Sequence, residues 1–177
     1  MSVQYLHPGN FALVMATGII SIGMKLIGNT VLADILFLFA VCAWLTLIVL
    51  SLMRLLRFAT QLRDELLNPR MVFAYFTLVA ATDIVGMLLL DRGYSSLAIA
   101  CWIIAFGAWC SLLYLAFSVL TFLSHEHNVN IVHGGWLITI VGTQSLVLLG
   151  SRIAPILGPY AGYMMVEVHM LWGLGLI

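Results

Sequence analysis

Asp83 is the residue of this chain best placed to do chemistry where chemistry is costly. It lies more than halfway along an apolar run, and an ionised carboxylate inside a membrane usually faces a bundle interior or a water-filled cavity. Two roles are open to it. It is either a group beside a translocation path, whose protonation spares an anion repulsion and makes flux favour acidic pH, or a structural acid bonded to Thr or Trp of a neighbouring helix. Gln144, Glu167 and His169 are further polar groups inside apolar runs. His125, Glu126, His127 and His133 look superficially like a metal cluster, but they fall in a polar loop with no second ligand set, so neither zinc nor iron is expected. Cys42, Cys101 and Cys110 lack metal or redox spacing and read as small hydrophobes within spans. The chain has no glycine-rich phosphate loop, no nucleophile elbow and no HExxH helix. Haem held between two histidines is not provided for either, since His169 alone lies within a span. These residues do not describe an enzyme.

The elements that must carry these groups follow from composition. The chain is 63% apolar and 8% charged, and a hydrocarbon core about 30 Å thick needs roughly 20 apolar residues of helix. The spans read as Phe11–Ile27, Val31–Leu52, Met71–Leu90, Leu97–Leu123, Gly135–Leu149 and Tyr160–Ile177. That is five complete crossings and the start of a sixth in one all-α transmembrane domain, 1–177. A water-soluble core could not hide so many helices that are apolar all round. The last run, from Met170 to Ile177, has no charged cap, Pro stop or polar tail, so we expect a longer native chain. Residues 1–9 lack the positive region of a signal peptide, and the first span is expected to be retained.

Charge sets orientation and excludes one class of partner. The 7 basic and 7 acidic residues balance, with no basic cluster of the kind that binds nucleic acid. Arg54, Arg57, Arg63 and Arg70 crowd the gap between spans two and three. The positive-inside tendency makes that gap, and with it the N-terminus, cytoplasmic. Lys25, Arg92 and Arg152 then mark outer turns. Gly28-Asn29-Thr30 and Asp91-Arg92-Gly93-Tyr94 are short links that join neighbouring spans as antiparallel hairpins.

Small and hydroxyl residues recur at helical spacing on three spans. On the first, Asn10, Thr17, Ser21 and Gly28 share one side, with Gly9, Ala12, Ala16 and Gly23 opposite. On the third, Tyr75, Thr82 and Gly86 form a stripe with Asp83 at its margin. On the fifth, Gly135, Thr139, Gly142 and Thr143 cluster. Such seams either let helices approach closely or line a conduit. Their presence on odd-numbered spans beside a plain second span predicts odd helices inside and even helices outside, although Gly107, Ser111, Tyr114 and Ser118 also align on the fourth. Thr17, Ser21, Thr82, Asp83, Thr139 and Thr143 are the candidate pore-lining residues. A conduit of this kind offers hydroxyls and backbone groups rather than fixed cations, which favours weak binding and quick release.

Three stretches, in order, resemble one family. His7-Pro8-Gly9-Asn10-Phe11-Ala12-Leu13-Val14-Met15-Ala16-Thr17-Gly18-Ile19-Ile20-Ser21 is similar to the opening of the tellurite-resistance/C4-dicarboxylate transporter family. Phe76 to Asp83 resembles its third helix, and Gly134-Gly135-Trp136-Leu137 through Thr143-Gln144-Ser145 its fifth. That family includes plant slow-anion channels, fungal malic-acid transporters and sulfite efflux pumps. The resemblance implies a ten-helix protein of five hairpins, of which this chain is about the first half, with odd helices around a central pore. It further implies a trimer in a cell membrane that carries small anions without a cofactor. It assigns no gate among these residues. A membrane protein with an assembly role and no transport, or an oxidoreductase subunit, is the other class to weigh.

Overall fold

The computed structural model describes residues 6–69, 71–122 and 136–174, and among these every regular element is helical. A 3₁₀ turn, Pro8–Phe11, opens the bundle, with His7 Nδ1 accepting from Gly9 N at 3.0 Å. It runs into α1 (Ala12–Leu26). At Gly28 the chain reverses through φ +85°, a conformation that glycine adopts without steric cost. Asn29 then caps α2 (Thr30–Arg57), its side chain accepting from Leu32 N at 3.2 Å. The amphipathic α3 (Ala59–Leu66) follows. A second 3₁₀ turn, Val72–Tyr75, leads into α4 (Phe76–Leu90). The chain turns again at Gly93, also with φ +85°, into α5 (Ser95–Phe122). The last pair is α6 (Leu137–Ile153) and α7 (Ala161–Leu174), joined by a 3₁₀ stretch, Ala154–Tyr160, that bends at Gly158 (φ 56°, ψ −116°).

Five helical stretches among the described residues are long and apolar enough to cross a membrane: Pro8–Leu26, Thr30–Arg57, Val72–Leu90, Ser95–Thr121 and the kinked Leu137–Leu174. The hairpins expected at 28–30 and 91–94 are present. Three boundaries differ from the sequence reading. Helix α2 continues past Leu52 to Arg57, because Arg54 turns inward to partners instead of ending the apolar run. The polar gap after it is partly helical, as α3. The fifth span runs to Ile153, beyond Leu149. The loop residues His125, Glu126, His127 and His133, and the seam residue Gly135, lie outside the described residues.

Helix α4 is the centre of the bundle. Twelve of its residues, among them Phe76, Asp83 and Leu88, are buried, and it packs against α1, α2, α5 and α6. Apolarity on every face is what lets one helix take that position. Helix α2 is the contrast: Leu38 is 63% exposed and Leu45 is 50% exposed, the outward apolar face that a helix presents to lipid. Helices α1, α4 and α6 run parallel, each paired with an antiparallel partner, so their C-terminal ends gather at one end of the bundle.

Candidate functional site

Ser21, Thr82 and Thr143 of the odd spans bond to neighbouring helices, whereas Thr17 and Thr139 do not. Ser21 Oγ donates to Ala33 O on α2 at 2.7 Å, and both residues are buried. Thr82 donates to Leu78 O at 2.8 Å and accepts from Trp44 Nε1 of α2 at 3.2 Å. Thr143 does the same on α6, donating to Thr139 O and accepting from Trp109 Nε1 of α5, each at 2.9 Å. A back-bonded threonine still has lone pairs free for an indole N–H, which explains why a Trp stands opposite each. Thr17 donates to Leu13 O of its own helix at 2.8 Å. Thr139 Oγ1 is buried and has no hydrogen-bond partner among the described residues.

Asp83 is fully buried between α4 and α6. Its Oδ2 accepts from Ser145 Oγ at 2.7 Å, and Gly142 O, 2.8 Å from the same Oγ, shares that single hydroxyl proton. The partner is therefore a serine of α6 rather than the Thr or Trp expected from sequence. Asp83 Oδ1 has no partner among the described residues. Gln144, beside this pair in the chain, is half-buried. Glu167 is half-buried on α7, and His169, exposed, has Nδ1 2.6 Å from Met165 O of its own helix. No hydrogen bond among the described residues brings these two to Asp83.

Close approach to α4 explains two of the glycines. A Cβ at Gly18 would stand 2.3 Å from Ile84 Cγ2, and one at Gly86 would stand 2.5 Å from Leu149 Cδ2. These small residues let α1 and α6 pack directly on the central helix. The opposite side of α1 is different. Ala12 and Ala16 are exposed, and a Cβ at Gly23 would meet nothing within 4 Å. The described residues thus leave a face of small side chains on α1 uncovered.

Ionic groups lie at the two ends, and sequence reasoning did not join them. At one end Arg54 is 3% exposed. Its Nη1 donates to Leu6 O at 2.7 Å and its Nη2 pairs with Glu65 of α3, while Tyr75 OH donates to the other Glu65 oxygen at 2.9 Å. Thr77 holds the same N-terminal segment by donating to Pro8 O at 2.9 Å. At the other end Lys25 Nζ donates to Asp91 O at 2.8 Å, and Arg152 Nη2 pairs with Asp91 Oδ1 at 2.5 Å. Nearby, Arg92 pairs with Asp34 at 2.6 Å and lies 3.6 Å from the centre of the Phe37 ring. The one sequence signal for the Lys25–Asp91–Arg152 group is that each member closes an odd span.

Apolar helices in antiparallel pairs, with every described Lys and Arg near one of the two ends, define a multi-pass α-helical membrane protein. Among the described residues, the buried polar side chains inside the spans are Ser21, Thr77, Thr82, Thr143 and Ser145 with the Asp83 carboxylate, and Arg54 near the end of α2. The chain belongs to the voltage-dependent anion channel (SLAC1) family, whose model matches residues 5–177. That match bears out the resemblance read in the His7–Ser21 stretch and its companions, and it carries anion transport as the general function. Among curated proteins and solved structures, no match to the chain was found.

Proposed function

We propose that the protein conducts small anions, C4-dicarboxylates, sulfite or inorganic anions among them, along a path bordered by α1, α4 and α6. The single observation that carries this reading is the family match over residues 5–177. Within the chain it is supported by three parallel helices whose packed hydroxyls and glycines bring them together, and by an uncovered small-residue face on α1. In this reading the hydroxyls of Thr17, Ser21, Thr82, Thr139 and Thr143 shape and steady the wall. Anions meet weak neutral sites there and leave quickly.

The further elements of the proposal are a ten-helix protein, a trimeric assembly, a cell-membrane location and a cytoplasmic N-terminus. They rest on the resemblance and on the arginine density of residues 54–70. Asp83, closed in against Ser145, ties α4 to α6. A proton-coupled carrier is the second reading, favoured by the open acceptor at Asp83 Oδ1.

The test is uptake of succinate, sulfite and chloride into proteoliposomes across a range of pH, for the protein and for Asp83→Asn. Uptake above protein-free vesicles with the same pH profile in both supports a channel in which Asp83 is structural. Loss of the pH profile in the variant supports the carrier. No uptake of any anion contradicts transport, and a cysteine at position 63 labelled from outside intact cells contradicts the orientation.

A further inference from the structure

We propose that Lys25 and Arg152 form a binding site for a small carboxylate or other oxyanion at the common end of α1, α4 and α6, with Asp91 as its built-in competitor. The inference rests on the anion-transport reading and names a recruitment site on that path.

Helix polarity works against anions at this end of the bundle. Three parallel helices finish here, and the dipole of each turns its negative end, equivalent to about half a charge, toward this mouth. A mouth built from three such ends would repel anions. Lys25, in the last turn of α1, and Arg152, in the last turn of α6, reverse that field where an anion would enter. Helix α4 contributes Asp91, its C-cap residue, so each of the three helices delivers one charged group to the same place.

The space is there too. Ile22, Lys25, Leu26, Asp91 and Arg152 border a depression of about 500 Å³ that is open to solvent, room enough for a small carboxylate. Its charged lining carries two cations against one carboxylate. The Arg152 side chain is 43% exposed and that of Asp91 is 14% exposed, so Arg152 holds Asp91 through Nη2 while nearly half of its side chain stays accessible.

The pairing itself indicates the ligand. A carboxylate already sits on Arg152, Nη2 to Oδ1 at 2.5 Å, and the planar guanidinium fork suits oxyanions better than halides. An incoming carboxylate can take Asp91's place on Arg152 and accept from Lys25 as well. The tie between α1 and α4 is a bond from Lys25 to the backbone oxygen of Asp91. Neutralising the Asp91 side chain therefore leaves that tie in place.

The experiment compares the wild-type protein with Lys25→Gln, Arg152→Gln, Asp91→Asn and the control Asp34→Asn. The readouts are succinate and chloride uptake into proteoliposomes, and the shift in unfolding temperature that succinate produces in detergent. Lys25→Gln and Arg152→Gln should each raise the half-saturation concentration for succinate about three- to tenfold, as loss of one of two charged partners implies. Rates should converge at saturating succinate, and chloride should respond less. Asp91→Asn should lower the half-saturation value, and Asp34→Asn should leave it unchanged. Succinate should raise the unfolding temperature of the wild type more than that of Arg152→Gln.

Unchanged half-saturation in the cation variants, with wild-type uptake intact, overturns the site. So does an Asp91→Asn protein that binds succinate as weakly as Arg152→Gln, because the three charges are then only a structural tie. Aggregation of both cation variants during size exclusion overturns it for the same reason. If wild-type vesicles take up nothing while succinate still stabilises the protein through Arg152, the transport reading fails and the binding site stands.

Discussion

Arginine serves opposite purposes at the two ends of this bundle. Arg54 is withdrawn from solvent, with a carbonyl, a carboxylate and a neighbouring phenol around it; it fastens α2, α3 and the N-terminal segment together. Arg152 holds one carboxylate, keeps nearly half of its side chain exposed and borders a depression open to solvent. Burial makes the first cation part of the scaffold. Exposure beside that depression makes the second available to a ligand. Residue type and span position do not separate them, and their partners do.

That contrast can be broken most sharply at Arg54. Removing one member of a buried pair leaves the other uncompensated, and Arg54→Ala should destabilise the protein by about 3 kcal/mol, the low end of that range because Glu65 can still reach water. Thermal unfolding in detergent reads the loss. A change as small as that of a surface charge would erase the distinction between the two ends.

The next largest effect is expected at the α1–α4 contact. Gly18→Ala puts a methyl against the stiff Ile84 side chain and should cost about 1–3 kcal/mol through overpacking. Gly23→Ala, on the uncovered face of the same helix, should be neutral or slightly stabilising, since alanine favours helix. Unfolding temperatures of the two variants side by side check whether one face of α1 is packed and the other open.

Asp83 lies between the extremes, buried but joined by a single hydrogen bond. Ser145→Ala removes that donor and should cost about 1–3 kcal/mol. Asp83→Asn keeps an oxygen for Ser145 and should cost less. If both variants fold as well as the wild type, the α4–α6 tie is not what Asp83 is for, and the proton-coupled reading gains. A small stability loss is expected for Arg152→Gln, where the nearly half-exposed guanidinium is screened by solvent and the pair contributes about 0–1 kcal/mol. A large loss there would make Arg152 a second Arg54.

Much of the fold was legible because lipid-spanning helices are specified locally. Each must satisfy its own backbone and present apolar side chains for its full length, so spans show up as runs, and Gly28 and Gly93 mark the turns between them. What escaped depends on partners distant in the chain. Arg54 read as a loop-side charge because nothing near it reveals Glu65, Tyr75 and Leu6 as its surroundings. The same holds for Ser145, whose hydroxyl reaches Asp83 across 62 positions. The seams on α1, α4 and α6 were visible as periodicity, but periodicity does not say which face is packed. On α1 the hydroxyl side meets α2, and the small-residue side stays uncovered. Lys25, Asp91 and Arg152 each looked like an isolated outer charge until three parallel helix ends brought them together.

The proposed function depends on anion movement through the bundle, and uptake of labelled succinate into proteoliposomes under an imposed membrane potential measures that movement itself. Uptake should exceed that of protein-free vesicles, run faster when the interior is positive and saturate with concentration. Uptake no greater than that of protein-free vesicles, at either sign of potential and across the pH range, would contradict it.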